Sequence, residues 1–309
     1  MKFLVTGANG FVGNALCKLL FKEKANTVTA VVRGEPQQEI LNTRICKVDS
    51  LISGFDLSGE LANIDCVVHL AARAHKLNDT TSDPLQQFRD INVSGTLLLA
   101  QQAAKAGVAR FVYVSSVGVY GNSSEAPFDE SSKFNPHSDY AISKLEAEFE
   151  LKKMIKDLDI ELVIVRPVLV YGKNAPGNFG QLVKLVSRMP FLPFGLAYNR
   201  RSFISISNLV DFLLLCSHHP AAANQDFVIS DGEDVSIKQF SIAIAKGLNS
   251  SLIQLPIPVS IMRSVAKLLE KETQVDQLLG NLQVDCSKAR SLLDWQPVET
   301  MAQAMSKLK

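Results

Sequence analysis

With 309 residues, 47% of them hydrophobic and 20% charged, the chain has a globular composition and enough length for one large α/β unit or two lobes. A net charge of +1 excludes the strong basic field that nucleic-acid or anionic-membrane binding requires, and no apolar stretch approaches the length of a membrane span. The five cysteines (17, 46, 66, 216 and 286) are scattered without a CxxC pair and read as reduced core thiols. The first residues run straight into a glycine-rich turn rather than a leader sequence, so the cytoplasm is the expected location.

Residues 2–6 read as a short strand, followed by Gly7-Ala8-Asn9-Gly10-Phe11-Val12-Gly13 and a helix predicted from Asn14 to Lys24. Glycines at 7, 10 and 13 permit a tight turn, a close backbone approach to a pyrophosphate, and tight packing of the helix start on its strand. Placed directly between a strand and a helix, the triplet makes Gly7, Asn9, Gly10, Phe11, Val12 and Gly13 candidate cofactor contacts.

A second strand, Thr27 to Val32, ends at Arg33 where dinucleotide-binding folds meet the adenosine ribose. No carboxylate stands there, so Arg33 is either a partner for a 2′-phosphate, which favours NADP(H) with NAD(H) possible, or a solvated arginine. A third strand, Arg44 to Val48, delivers Asp49 toward the adenine edge. A fourth, Asp65 to Leu70, runs into Ala71 and Ala72, and Leu70, Ala71 and Ala72 are expected along the cofactor. His69 lies inside that apolar run and reads as a packed core histidine. A long helix is predicted from Asp83 to Ala106, with Asn92 inside it on a polar task, holding a water near the catalytic pair.

The chemistry concentrates in residues 110–144. A β-branched and aromatic run, Phe111 to Val114, brings Ser115 and Ser116 to a strand end. Tyr140 and Lys144 stand four apart at the start of a helix, one turn apart on one face. A phenol is a poor base at neutral pH, but an ammonium nearby favours the phenolate and a serine hydroxyl can hold the reacting oxygen. A polar loop, 121–139, separates the two halves. A strand from Glu161 to Arg166 follows, ending in Pro167, after which the regular alternation stops and a smaller lobe begins. A strand led by Arg200 and Arg201 offers planar guanidinium groups suited to a diphosphate.

Together these residues resemble the extended short-chain dehydrogenase/reductases that modify nucleotide sugars, the NAD-dependent epimerase/dehydratase family. The likeness rests on Thr6 to Gly13, Asp65 to Ala72, Val114 to Gly121, Tyr140 to Lys144, Arg166-Pro167, Arg201 to Ile206 and Asp285 to Trp295. It implies an α/β fold: a Rossmann doubly wound parallel sheet over residues 1–167, and a smaller C-terminal substrate-binding lobe over 168–309 that crosses back to the first domain. It also implies a homodimer and a UDP-sugar substrate. In that resemblance Tyr140 is the acid/base, and Lys144 binds the nicotinamide ribose and lowers the tyrosine pKa. Ser116 bonds the sugar oxygen, Pro167 and Asn92 line the cofactor, and Arg201 and Asn178 hold the diphosphate. Val117-Gly118 stands where 4,6-dehydratases carry Asp-Glu, so dehydration is not expected. Reduction of a C4 ketone on a UDP-N-acetylhexosamine by NADPH is the leading expectation, with NAD-dependent 4-epimerisation as the alternative and a non-catalytic NADP(H)-binding protein third.

Overall fold

The computed structural model describes residues 1–34, 43–52, 54–74, 83–270 and 272–309. Seven parallel strands make the central sheet: β1 (Lys2–Thr6), β2 (Thr27–Arg33), β3 (Arg44–Val48), β4 (Cys66–His69), β5 (Arg110–Val114), β6 (Glu161–Pro167) and β10 (Asp226–Ile229). Their order is β10-β6-β5-β4-β1-β2-β3. Both faces are covered, so the strands read as apolar runs and their alternation divides residues between two cores. Phe3, Val5, Val68, Val112 and Val165 face α1 (Phe11–Lys22) and α7 (Ile206–His218). Leu4, Val67, Phe111, Tyr113 and Ile164 face the opposite layer. That layer holds α2 (Ser58–Leu61), α3 (Pro84–Arg89), α4 (Thr96–Lys105) and α5 (Asp139–Met154).

Two helices depart from the sequence expectation. The first begins at Phe11 rather than Asn14, because Gly10 in extended conformation serves as its N-cap and Gly13 lets the first turn press against the preceding loop. The helix expected over 83–106 is broken by a π-helical turn, Asp90–Gly95, between α3 and α4. A side chain at Gly95 would place its Cβ 1.9 Å from the Leu51 carbonyl oxygen, so the wide turn lets the helix run against that backbone.

The smaller lobe contains β7 (Leu169–Tyr171), α6 (Gly177–Arg188), β8 (Phe191–Leu192), β9 (Arg201–Ser205), β11 (Asp234–Val235), α8 (Ile237–Gly247) and β12 (Ile253–Gln254). Its core is aromatic, with Phe203 stacked on Phe240 at 3.8 Å and Tyr171 and Phe179 around them. After β9 the chain returns to the central sheet, where α7 packs on α1 and β10 pairs with the outer edge of β6, before it re-enters the smaller lobe at β11.

One buried ionic cluster joins these pieces. Arg166, at the carboxyl end of β6, is fully buried. Its Nε and Nη2 donate to the Glu148 carboxylate of α5 at 2.6–3.1 Å, Nη2 also donates to Asp226 of β10 at 2.8 Å, and Nη1 donates to the Tyr120 hydroxyl at 2.8 Å. Lys152 of α5 closes the cluster on Asp226 at 2.5 Å. Burial alone would raise the Asp226 carboxyl, but Arg166 and Lys152 outweigh it and hold the group below its ordinary value. Removing one partner of such a buried pair strands a charge at a cost of about 3–5 kcal/mol. Glu148→Ala should therefore lose about that much stability in urea denaturation, whereas an exposed control, Glu150→Ala, should change it by less than about 0.5 kcal/mol.

Candidate active site

The strand order reverses at β1 and β4, and the carboxyl ends of these strands open the crevice in which such folds hold ligands. The glycine turn lies there. Gly7 has φ +66°, and a Cβ on it would sit 2.9 Å from the Ala71 nitrogen; one on Gly13 would sit 2.2 Å from the Gly7 oxygen. No side chain caps α1, so the amides of its first turn remain for an anion. Asn9 holds the Arg33 carbonyl at 3.3 Å, and Arg33 and Asp49 lie exposed at the ends of β2 and β3. The Ser115 hydroxyl at the end of β5 is buried without a hydrogen-bond partner among the described residues. A cradle that only glycine can form, an uncapped helix start and an unspent buried hydroxyl fit a dinucleotide cofactor.

Thr6 refines one expectation. Its Oγ1 accepts the amides of Leu70 at 3.2 Å and Ala71 at 3.1 Å. Those two N–H groups are therefore spent inside the protein, leaving Leu70 and Ala71 to face a ligand only with side chains and carbonyls.

The three candidate catalytic residues come from the end of β5 and the first turns of α5. Ser138 caps α5 by accepting the Ala141 amide at 3.2 Å, which sets Tyr140 in the first turn. Tyr140, Lys144, Glu148 and Lys152 then fall on one stripe at four-residue spacing. Ser116 Oγ accepts the Gly118 amide at 3.1 Å, so its own proton is free to donate to a substrate oxygen. A Cβ on Gly118 would lie 3.3 Å from Ser116 Oγ and 3.5 Å from the Ala141 Cβ, a tight fit that disfavours the acidic side chain of a dehydratase there.

Burial dominates the electrostatics of the pair. Burial pushes the Tyr140 phenol up to about 12. Burial pushes Lys144 down to about 7, against the supporting charge of Glu148. The Lys144 ammonium lies 4.1 Å from the centre of the Tyr113 ring.

Asn92 performs its polar task on protein groups. Its Oδ1 accepts the Arg73 amide at 2.8 Å, and its Nδ2 donates to the Arg73 carbonyl at 3.2 Å and to Ser143 Oγ at 2.9 Å. The buried amide ties the segment after β4 to α5, and the π-helical turn places it there. His69 is a packed histidine as expected. Pro167 ends β6 beside Ile229 of β10. Arg201, at the head of β9, donates to the Gly280 carbonyl at 3.0 Å; burial lowers it to about 10, so it stays cationic at neutral pH. Asn178 is exposed on the first turn of α6. Sequence reasoning missed Glu148, although its place four residues beyond Lys144 was a usable signal. It also missed Tyr113, which an apolar strand conceals.

A doubly wound nucleotide-binding fold with a Ser, Tyr and Lys at its strand ends defines a class of dehydrogenase-like enzymes. Within it the chain belongs to the NAD dependent epimerase/dehydratase family, whose model matches residues 3–230. It is 40% identical over 301 residues to a UDP-glucose 4-epimerase of Vibrio cholerae, covering 96% of this chain and 91% of that protein. It is 28% identical to N-acetyl-alpha-D-glucosaminyl-diphospho-ditrans,octacis-undecaprenol 4-epimerase of Escherichia coli O157:H7, over 93% of this chain and 88% of that one. The structure superimposes on UDP-glucuronic acid 4-epimerase from Bacillus cereus in complex with NAD, with TM-score 0.79, 25% identity, and coverage of 99% and 97% of the two chains.

The depressed Lys144 pKa carries a stability consequence. Between about pH 7 and the ordinary lysine value near 10.4, the unfolded chain holds a proton that the folded one has released, so this group's contribution to stability rises with pH there. Below pH 7 the buried ammonium costs its full desolvation penalty. Lys144→Met should therefore be more stable than the parent at pH 6, with the difference shrinking toward pH 9 in denaturation curves.

Proposed function

We propose that the protein is an NAD-dependent UDP-hexose 4-epimerase. The observation that carries this reading is the 40% identity, across nearly the whole chain, to the Vibrio cholerae UDP-glucose 4-epimerase. It favours the epimerase over the C4-ketone reductase expected from the sequence. The NAD complex of the Bacillus cereus relative favours NAD over NADP, which leaves Arg33 as a solvated side chain. Neither likeness favours an N-acetylated hexose over glucose and galactose.

A bound NAD, which the glycine turn and Lys144 would hold, would supply reversible hydride transfer at C4 and a positive ring charge that favours the Tyr140 phenolate. Tyr140 takes the C4 hydroxyl proton in the first half and returns it in the second. Ser116 donates its free proton to the same oxygen and steadies it as charge develops. Lys144 holds the nicotinamide ribose. Arg201 and Asn178 grip the diphosphate while the 4-keto sugar turns over between the half-reactions. Residues 1–167 serve the cofactor and residues 168–309 mainly the substrate. The working form is a cytoplasmic homodimer, with Phe149, 52% exposed on α5, at the helical face through which the copies meet.

Freshly purified protein, denatured and analysed by mass spectrometry, should release NAD in near-stoichiometric amount. Empty protein that consumes NADPH with a 4-keto sugar would return the reductase to first place. UDP-glucose and UDP-N-acetylglucosamine should be offered in parallel, with conversion to the galacto forms as the readout. Tyr140→Phe should bind UDP-sugar nearly as the parent does and lose about a thousandfold or more in turnover. Near-normal turnover would remove Tyr140 from the acid/base role.

A further inference from the structure

The α5-facing side of the sheet should be apolar, yet three neighbouring strands carry polar residues in register across it. Thr6 of β1 lies opposite His69 of β4, and His69 lies opposite Tyr113 of β5. The His69 and Tyr113 rings stack at 6.0 Å and 21°, and the Lys144 ammonium lies over the Tyr113 ring, 4.1 Å from its centre. The row is a column: ammonium, phenol ring, imidazole, threonine.

Hydrogen bonds fix the charge at its base. Thr6 Oγ1 already accepts two amides, so it gives its own proton to His69 Nδ1 at 2.7 Å. His69 Nε2 then keeps its hydrogen and donates to Thr96 Oγ1 at 2.9 Å. The imidazole is locked neutral. Burial, and then the Lys144 charge, push His69 down to about 3, so it stays neutral throughout the working range.

We propose that Tyr113 is a positioning residue of the active site, its ring face holding the Lys144 ammonium, with neutral His69 fixed beside it on the neighbouring strand. A buried ammonium with no ion-pair partner among the described residues needs a compensating electron-rich surface, and an aromatic face at this distance supplies one. The titratable groups around Lys144 are Tyr140 and Glu148 on its own helix, Tyr113 on β5 and His69 on β4; the Glu148 carboxylate is already committed to Arg166. Tyr113 is thus the group whose face meets the ammonium, and burial keeps its hydroxyl protonated well above the ordinary value.

The column gains its functional meaning from the proposed role of Lys144, but its test needs neither substrate nor turnover. Lysine side chains are isotope-labelled, the Lys144 signal is assigned by its loss in Lys144→Met, and its titration is followed by NMR in the parent and in Tyr113→Phe. It is then followed in protein carrying singly, doubly and triply fluorinated phenylalanine at position 113. Fluorination drains the ring face while preserving shape, so folding is retained where Tyr113→Leu would leave a cavity. Tyr113→Phe should keep the Lys144 titration within a few tenths of a pH unit. Triple fluorination should lower it by about one unit, a tenfold shift toward the amine, with intermediate steps for the others. A Lys144 titration indifferent to fluorination would overturn the proposal. An epimerase assay that fails in the parent would overturn the functional reading and leave this titration standing.

Discussion

The active site depends on how the protein buries a charged stripe of α5 against a sheet. Tyr140, Lys144, Glu148 and Lys152 share one helical face, and Lys144 and Glu148 are buried. Left alone that face would unfold the helix from the sheet. The remedy is Arg166, delivered by β6, and Asp226, delivered by β10, so that charges alternate through Glu148, Arg166, Asp226 and Lys152. Tyr120 and Phe134 flank the guanidinium, each ring centre 5.4 Å from it. The position of the catalytic pair is thus set from a strand encoded about eighty residues later, which makes the outer edge of the sheet part of the site.

The same constraint explains the loop between Tyr120 and Ser138. Tyr120 stacks on Phe128 at 5.5 Å and on Phe134 at 5.3 Å, anchoring the loop beside Arg166. The loop then exchanges backbone hydrogen bonds with residues 281–285, joining Ser124 to Asn281, Phe128 to Gln283 and Asp285 to Phe128. Arg201 holds the neighbouring Gly280 carbonyl. The segment that links the two halves of the catalytic motif therefore also contacts the wall that carries the candidate diphosphate arginine.

Much of this was legible in the sequence. The parallel strands are buried on both faces, which forces apolar runs, and the glycine turn is legible because steric need admits no other residue at Gly7 or Gly13. Tyr140 and Lys144 were legible from helical spacing. What escaped reading is what depends on contact between distant segments. The π-helical turn answers to the approach of Gly95 to Leu51, which no local propensity encodes. Asn92 was correctly marked as out of place in a helix, but its partners, Arg73 and Ser143, lie 19 and 51 residues away. Tyr113 hides in an apolar strand because its ring belongs to the core while its face serves the site.

Burial of the candidate pair opposes both charges that the proposed reaction needs. Burial holds Tyr140 toward the neutral phenol and Lys144 toward the neutral amine. The candidate pair therefore calls for positive charge and hydrogen-bond partners at its tips. The Ser116 proton, the uncapped amides of α1 and the unpartnered Ser115 hydroxyl are arranged around that requirement. Reductases and epimerases share such a Ser, Tyr and Lys set, so the set itself does not choose between them. The choice lies in how firmly the cradle retains its cofactor between half-reactions. In this chain Gly7 and Gly13 leave no void, the Leu70 and Ala71 amides are fixed on Thr6, and Asn9 ties the turn to the end of β2. The cradle is thus fastened at three strands, which pre-forms it for either use of a cofactor.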